Sequence, residues 1–295
     1  MKQSLTYYVT LLVIKLKGIK RNFSSDPIDF KKIRKEDVHK PVGSFFKKNI
    51  LQTFKISDSL ITEIGLSKNA DNLLVFIHGG AFISGPSKHH WDVAKEIVEQ
   101  TNHKVWLCNY PKAPENQIKE ISENIDAIYD AALKNYQARN ISIIGDSVGG
   151  TLASALVQRL IINKVALPKK IMLVSPVMDA TMSNPKIENT EKSDPMLSKT
   201  GVLSSNKMCA GNHDLKDPII SPVYGNFEGF PKTILFIAEN DIMYPDEKLA
   251  ESKMKKANVD MEVIEGNNMP HIWPYLPVMK EAKVALNQII QMLNN

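Results

Sequence analysis

Six short apolar runs punctuate the chain: Leu73–Ile77 (LLVFI), Val105–Leu107, Ile141–Ile144, Ile171–Val174, Thr233–Ala238 (TILFIA) and Met261–Ile264. Near-continuous runs of this kind, bounded by polar residues, are the pattern of strands buried on both faces. The segments between them repeat their apolar residues at helical spacing instead. His89–Gln100 sets Trp91, Ala94, Ile97 and Val98 on one face, and Gln117–Ala132 does the same with Ile121, Ile125, Ile128 and Ala132. Leu152–Ile162, Glu247–Ala257 and Val278–Leu293 continue the series. Strands alternating with helices predict βαβ units and a mainly parallel sheet covered by helices on both faces.

Two stretches break the rhythm. From about Pro176 to Pro231 the chain is rich in Pro, Asn, Ser and Asp and holds no long apolar strand. It is expected as an insertion over the carboxyl edge of the sheet, where α/β folds bind ligands. Near the N-terminus, Leu5, Val9, Leu12, Leu16 and Ile19 recur at helical spacing, which predicts an amphipathic helix. Lys15 and Lys17 interrupt the run and no small-residue cleavage site follows, unlike a secretory signal. The run is also too short to span a bilayer. The helix is expected to pack on the protein body rather than to lie on a membrane. Residues 1–50 and about 176–231 together are expected to form a cap on a single domain, 1–295.

Composition changes this picture little. A hydrophobic fraction of 43% and a charged fraction of 23% are ordinary for a globular protein. Net charge is +5, with 37 basic residues against 32 acidic ones. Lysines gather in 15–48, where a solvated lysine-rich face is expected rather than a surface for anionic lipid or nucleic acid. The two cysteines, Cys108 and Cys209, lie far apart and outside any metal-like spacing. Buried structural thiols in a reducing, cytoplasmic setting are the expectation.

Two glycine-rich turns carry candidate chemistry. Gly145-Asp146-Ser147-Val148-Gly149-Gly150 satisfies G-x-S-x-G, directly after one predicted strand and directly before a predicted helix. That is the setting of a nucleophile elbow, in which a strained turn presents a serine at a helix N-terminus. Glycine is needed beside it because larger side chains collide in the turn. The second turn, His78-Gly79-Gly80-Ala81-Phe82, follows the strand Leu73–Ile77. Acyl transfer needs N–H donors aimed at the developing oxyanion. Gly79 and Gly80, with the N–H of Val148, are the candidates. Ala81 stands where a third glycine is usual, and its methyl leaves the N–H available. His78 is expected to hydrogen-bond structurally rather than to act as a base.

The base follows by elimination. With chain order serine, acid, histidine, only His213 and His271 follow Ser147. His213 falls in the irregular insertion, whereas His271 follows the run Met261–Ile264 by a short loop, so His271 is the expected base. The acid is expected after TILFIA. Asp241 is the first candidate, with Asp246 and Glu239 as alternatives that would otherwise cap or solvate the helix beginning near Pro245.

These residues resemble the hormone-sensitive-lipase group of α/β-hydrolase serine esterases. The resemblance rests on HGGAF at 78–82, YPKAPE at 110–115, GDSVGG at 145–150, ENDIMYPD at 239–246 and MPHIWP at 269–274. It implies an α/β-hydrolase fold, a mostly parallel eight-stranded sheet flanked by helices under a helical cap. It implies hydrolysis of short-chain carboxylic esters, acetyl esters among them, with no metal or organic cofactor. Residue by residue it assigns Ser147, Asp241 and His271 to a triad and Gly79, Gly80 and Val148 to the oxyanion hole. Asp146 and Glu115 are implied to order the loops around the site. Val148 replaces a usual alanine, and Lys112 a usual apolar residue. The competing readings are a non-catalytic small-molecule receptor on the same scaffold and an amidase or deacetylase using the same groups.

Overall fold

The computed structural model describes residues 3–295; residues 1 and 2 of the expected cap segment lie outside the described residues. The strands are β1 (Ile50–Ile56), β2 (Ser59–Ile64), β3 (Asn72–Ile77), β4 (His103–Asn109), β5 (Ile141–Asp146), β6 (Lys170–Val174), β7 (Lys232–Ala238) and β8 (Met261–Gly266). They form one sheet in the order β1-β2-β4-β3-β5-β6-β7-β8. β2 runs antiparallel to both β1 and β4, and the pairs from β4 through β8 are parallel. The six expected runs are the six strands from β3 to β8. Leu73, Leu74, Phe76, Ile77, Ile143, Ile144, Leu235 and Phe236 are all fully buried, as strands covered on both faces must be.

β1 and β2 carry no comparable apolar run. β1 is the sheet edge and alternates with exposed Gln52 and Lys55, so a charged outer row keeps it from pairing with another chain. The hairpin between them is held from outside: Asn124 Oδ1 accepts from Asp58 N–H at 2.9 Å and from Ser59 Oγ at 3.0 Å.

The helices are α1 (Leu5–Leu16), α2 (Ile19–Asn22), α3 (Phe30–Ile33), α4 (Ser44–Asn49), α5 (Lys88–Gln100), α6 (Ile118–Asn135), α7 (Val148–Ile162), α8 (Ile187–Ser193), α9 (Lys199–Ala210), α10 (Tyr244–Lys256) and α11 (Lys280–Asn294). α5 packs with α11, and α6 with α7. Start signals are local and legible. Ser87 with His90 and Gln117 with Glu120 form reciprocal caps on α5 and α6. Pro245 opens α10, with Asp246 and Glu247 in its first turn and Lys253, Lys255 and Lys256 in its last, complementing the helix dipole.

The insertion and the N-terminal segment meet. Ser198 Oγ donates to Phe23 O at 2.8 Å, and Ile28 N–H donates to Ser204 Oγ at 3.0 Å. The backbones pass so closely that a Cβ on Gly201 would lie 1.8 Å from Phe23 O.

α1 corrects the expected packing face. Ser4 caps it by accepting from Tyr7 N–H, and the helix does rest on the body. Its buried residues, however, are Tyr7, Thr10 and Ile14, while Leu5, Val9, Leu12 and Leu16 of the anticipated stripe are exposed. The helix is apolar nearly all round, so periodicity alone offers no unique inner face. Tertiary hydrogen bonds make the choice: Tyr7 Oη donates to Asn268 O at 2.8 Å, and Ser4 N–H to Glu281 Oε1 at 2.7 Å.

Candidate active site

Parallel strands bring their carboxyl ends to one edge. His78 follows β3 there, Ser147 follows β5, Ser175 follows β6, Asp241 lies three residues past the end of β7 and His271 follows β8 by a short loop. Ser147 sits between β5 and α7 at φ 52 and ψ −125, a conformation L-residues seldom adopt and one that surrounding structure must hold. The neighbouring glycines hold it. A Cβ on Gly145 would lie 2.4 Å from Gly149 O, and one on Gly149 would lie 2.0 Å from Ile77 O. Ser147 N–H donates to Val174 O at 2.9 Å, which ties the turn to β6.

Asp241 and His271 are both buried, and His271 Nδ1 lies 2.6 Å from Asp241 Oδ2. A carboxylate there puts the ring proton on Nδ1 and leaves Nε2 as an acceptor. Asp241 Oδ1 accepts from Met243 N–H at 3.0 Å. Ile272 N–H donates to Ser175 Oγ at 3.0 Å. The His271 loop is thus joined to β6 one residue from where Ser147 is joined. Burial lowers the His271 pKa, but the charge and hydrogen bond of Asp241, with Asp194 and Asp146 farther off, outweigh it and the net shift is upward. The Ser147 hydroxyl and His271 Nε2 are not hydrogen-bonded to each other here.

The alternatives for base and acid lie elsewhere. His213 Nδ1 is 3.9 Å from Asp217 on the insertion, partly exposed. Glu239 Oε2 accepts from Asn268 N–H at 2.8 Å. Asp246 accepts from Asn184 Nδ2 at 2.8 Å, and burial pushes its carboxyl up to about 6. Two further acids, unmarked by any sequence motif, stand behind Asp241. Asp194 accepts from Ile242 N–H at 2.9 Å, and burial together with the Asp241 charge pushes its carboxyl up to about 6. Glu247 is fully buried, and burial with the same neighbouring charge holds its carboxyl well above the usual range.

The His78–Phe82 loop corrects one assignment. Gly79 N–H donates to Asp146 Oδ1 at 3.0 Å, so this donor is taken by a side chain and does not point to a shared oxyanion position. Gly79 is nonetheless a steric necessity, since a Cβ there would lie 2.4 Å from Asp146 Oδ2. Gly80, Ala81 and Phe82 all have positive φ, at 124, 54 and 62. The N–H groups of Gly80, Ala81 and Val148 donate to no protein acceptor among the described residues. The N–H of Ala81 is thus as free as that of Gly80, and the place of Ala81 in the glycine run was the available signal. His78 has the structural role expected of it: Nδ1 lies 2.6 Å from Gly79 O and the ring stacks on Tyr110, whose hydroxyl donates to His78 O.

The N-terminal segment braces this loop. Val38 N–H donates to Pro86 O at 2.7 Å, Asp37 Oδ1 accepts from Gly85 N–H at 2.7 Å, and Arg34 Nε donates to Ile83 O at 2.7 Å. Arg34 also pairs with Glu115 at 2.6 Å. Lys112 turns inward rather than out. Its Nζ lies over the Tyr110 ring and donates to Asn109 Oδ1, and burial lowers its pKa to about 7.

One trio, His89, His90 and Asp146, brings possible metal-donor atoms within 4.8 Å of one another. Two of its members are already engaged: His90 Nδ1 accepts from Ser87 N–H at 2.8 Å, and His90 Nε2 faces Asp146 Oδ2 at 3.3 Å, while His89 Nε2 has no partner among the described residues. Cys108 and Cys209 are both buried and unpaired, and burial pushes both thiols up. A cleft of about 1000 Å³ lies away from Ser147, lined by Phe54, Glu63, Trp106 and Tyr136 near the β1 edge. It contains none of the groups described above, so chemistry, not volume, locates the candidate site.

Comparison with known proteins agrees with this fold. Residues 74–274 match the alpha/beta hydrolase fold family. The chain is 30% identical over 236 residues to an esterase of Acinetobacter venetianus, covering 78% of this chain and 77% of that one. It is 25% identical over 217 residues to an acetyl-hydrolase of Streptomyces hygroscopicus, covering 72% of each. A solved structure from Staphylococcus aureus, provisionally described as an esterase, superposes with a TM-score of 0.87 at 30% identity, covering 96% of this chain and 99% of that one. The chain belongs to the α/β-hydrolase fold family and is a carboxylesterase-type hydrolase.

Proposed function

We propose that this protein hydrolyses short-chain carboxylic esters, acetyl esters among them, through a covalent acyl-serine. The observation that carries the reading is the buried Asp241–His271 pair, 2.6 Å apart, at the same sheet edge as the strained Ser147. His271 Nε2 takes the hydroxyl proton as Ser147 Oγ attacks the ester carbonyl. Asp241 holds the imidazole tautomer and stabilises its cation. The oxyanion accepts from the N–H groups of Gly80, Ala81 and Val148, each free of other partners. His271 then protonates the leaving alkoxide. Water, deprotonated by His271, releases the carboxylic acid and restores Ser147. The substrate is a small ester, and residues 3–50 with 176–231 act as the cap that limits the acyl group. The acetyl-hydrolase relative supports the short acyl length.

The test is a panel of p-nitrophenyl esters from acetyl to palmitoyl, with p-nitroacetanilide as the amide. Turnover is expected to peak at roughly two to six carbons and to be far slower on the amide. Ser147→Ala is expected to lose on the order of 10⁶ in kcat with an unchanged circular-dichroism spectrum. An alanine variant that keeps wild-type turnover, or a preference for palmitoyl, overturns the reading.

A further inference from the structure

We infer that the outer face of α1 is a docking surface for an anionic lipid bilayer. Leu5, Tyr8, Val9, Leu12, Val13 and Leu16 are 80%, 56%, 44%, 56%, 45% and 77% exposed. Their spacing of three and four residues makes them one continuous stripe along the helix. A helix of a globular protein ordinarily turns such a stripe inward. Here the inner contact is the narrower row of Tyr7, Thr10 and Ile14, and the broader apolar row faces out. An exposed apolar stripe of this kind marks an interaction surface.

Charge selects the occupant. Lys15, Lys17 and Arg21 are exposed at the carboxyl end of the stripe, and no acidic residue precedes Asp26 in the chain. An apolar face with a basic carboxyl end is the pattern of a helix lying in the interface of an anionic membrane, where apolar burial and attraction to the headgroups act together; the one carboxylate bonded to the helix start, Glu281, lies at its opposite end. Size argues against a second copy of the chain. Twelve residues make a helix about 18 Å long, so a stripe about 10 Å wide offers roughly 200 Å², well below the ~800 Å² per partner of a stable interface. The helix cannot span the bilayer, and no described helix is long and apolar enough to do so. It lies on the surface.

Position gives the docking a consequence. Tyr7 Oη donates to Asn268 O at 2.8 Å and Gln3 Nε2 to Asn267 O at 2.9 Å. The loop so held runs directly to His271. A bilayer against α1 therefore lies beside the loop of the candidate base, where an ester dissolved in lipid arrives from the membrane rather than from water.

Vesicle flotation with the full-length protein tests this without any substrate, so the result is independent of the ester chemistry. One set of vesicles is phosphatidylcholine, and the other contains phosphatidylglycerol at about one lipid in three. The protein is expected to float with the anionic vesicles in ~0.1 M salt and to be released as salt rises. Leu12→Glu with Leu16→Glu is expected to weaken binding at least about tenfold. These side chains are exposed, so the thermal midpoint should not change. Lys15→Glu with Lys17→Glu is expected to weaken binding to anionic vesicles by on the order of tenfold. Absence of wild-type flotation on anionic vesicles, or equal flotation of the leucine variant, overturns the proposal. So does a wild-type dimer by light scattering that Leu12→Glu returns to monomer, since the stripe would then be covered by a second copy.

Discussion

Two buried aspartate–histidine pairs flank the candidate nucleophile, and they are wired to different ends. In the first, Asp146 faces His90 Nε2 at 3.3 Å, its other oxygen accepts from Gly79 N–H, and His90 Nδ1 accepts from Ser87 N–H. No ring nitrogen is left over. In the second, Asp241 faces His271 Nδ1 at 2.6 Å, and Nε2 has no protein partner among the described residues. Residue types and burial are alike. The difference is whether the nitrogen far from the carboxylate has work within the fold. Where it has, the pair is a brace for the glycine loop. Where it has not, the pair can carry a proton.

The sharpest way to break this contrast is to remove each carboxylate in turn. Asp241→Asn is expected to lower kcat by on the order of 10⁴, because the imidazole is then held in the wrong tautomer. The protein should remain folded, since the amide keeps the volume. Near-wild-type kcat would mean that another carboxylate orients His271, and Asp194 would be the first to test. Asp146→Asn is expected to cost less, roughly 10- to 100-fold in kcat, with KM little changed and a lower thermal midpoint. It acts only through the position of the loop that bears Gly80 and Ala81. If Asp146→Asn is as inactive as Asp241→Asn, the two pairs do not divide brace from base as argued.

The pH profile sharpens the same point. Asp241 and its neighbours raise the His271 pKa above the ordinary 6.5 despite burial. The base must be neutral to accept the serine proton, so kcat/KM is expected to fall about tenfold per pH unit on the acid side. The midpoint of that limb should lie above 6.5. A limb centred well below 6.5 would be incompatible with the Asp241–His271 pairing.

The smallest effect belongs to Asp246, the acid that lies five residues from Asp241. Burial raises its folded pKa from 3.8 to about 6. A raised carboxyl contributes stability fully below its unfolded value, and that contribution is lost as pH rises through the folded value. Asp246→Asn cannot ionise and keeps a side-chain oxygen for Asn184. It is expected to raise the thermal midpoint at pH 8 by roughly 2–4 °C relative to its effect at pH 5. A scan at the two pH values checks this, and equal shifts at both would mean that ionisation of Asp246 costs the fold nothing.

Much of this molecule was legible before any coordinates. The runs from Leu73–Ile77 to Met261–Ile264 are strands because strands covered on both faces need continuous apolar sequence, and that demand is local. Ser147 was legible in part for a similar reason: Gly145 is dictated by atoms of Gly149 and Gly150 in the same turn, although Gly149 is dictated by Ile77 and His78 at the end of the neighbouring strand β3. His271 followed from chain order. β1 and β2 were less legible because an edge hairpin with one wet face needs only mixed sequence.

By itself, then, the sequence determined the parallel core, the strained serine turn and the histidine that can serve it, all consequences of short-range sterics and burial. Tertiary structure alone decided which hydrogen-bond donors and faces remain free. Gly79 loses its N–H to Asp146, sixty-seven residues away in the chain, and Ala81 keeps its own. Asp241 rather than Asp246 meets a histidine because the loops after β7 and β8 are adjacent. α1 turns Tyr7 and Ile14 inward and Leu12 outward because Asn268 and Glu281 wait on one side of it. Each of these outcomes depends on a partner that is distant in sequence, and no local pattern of residues encodes what lies across the space between.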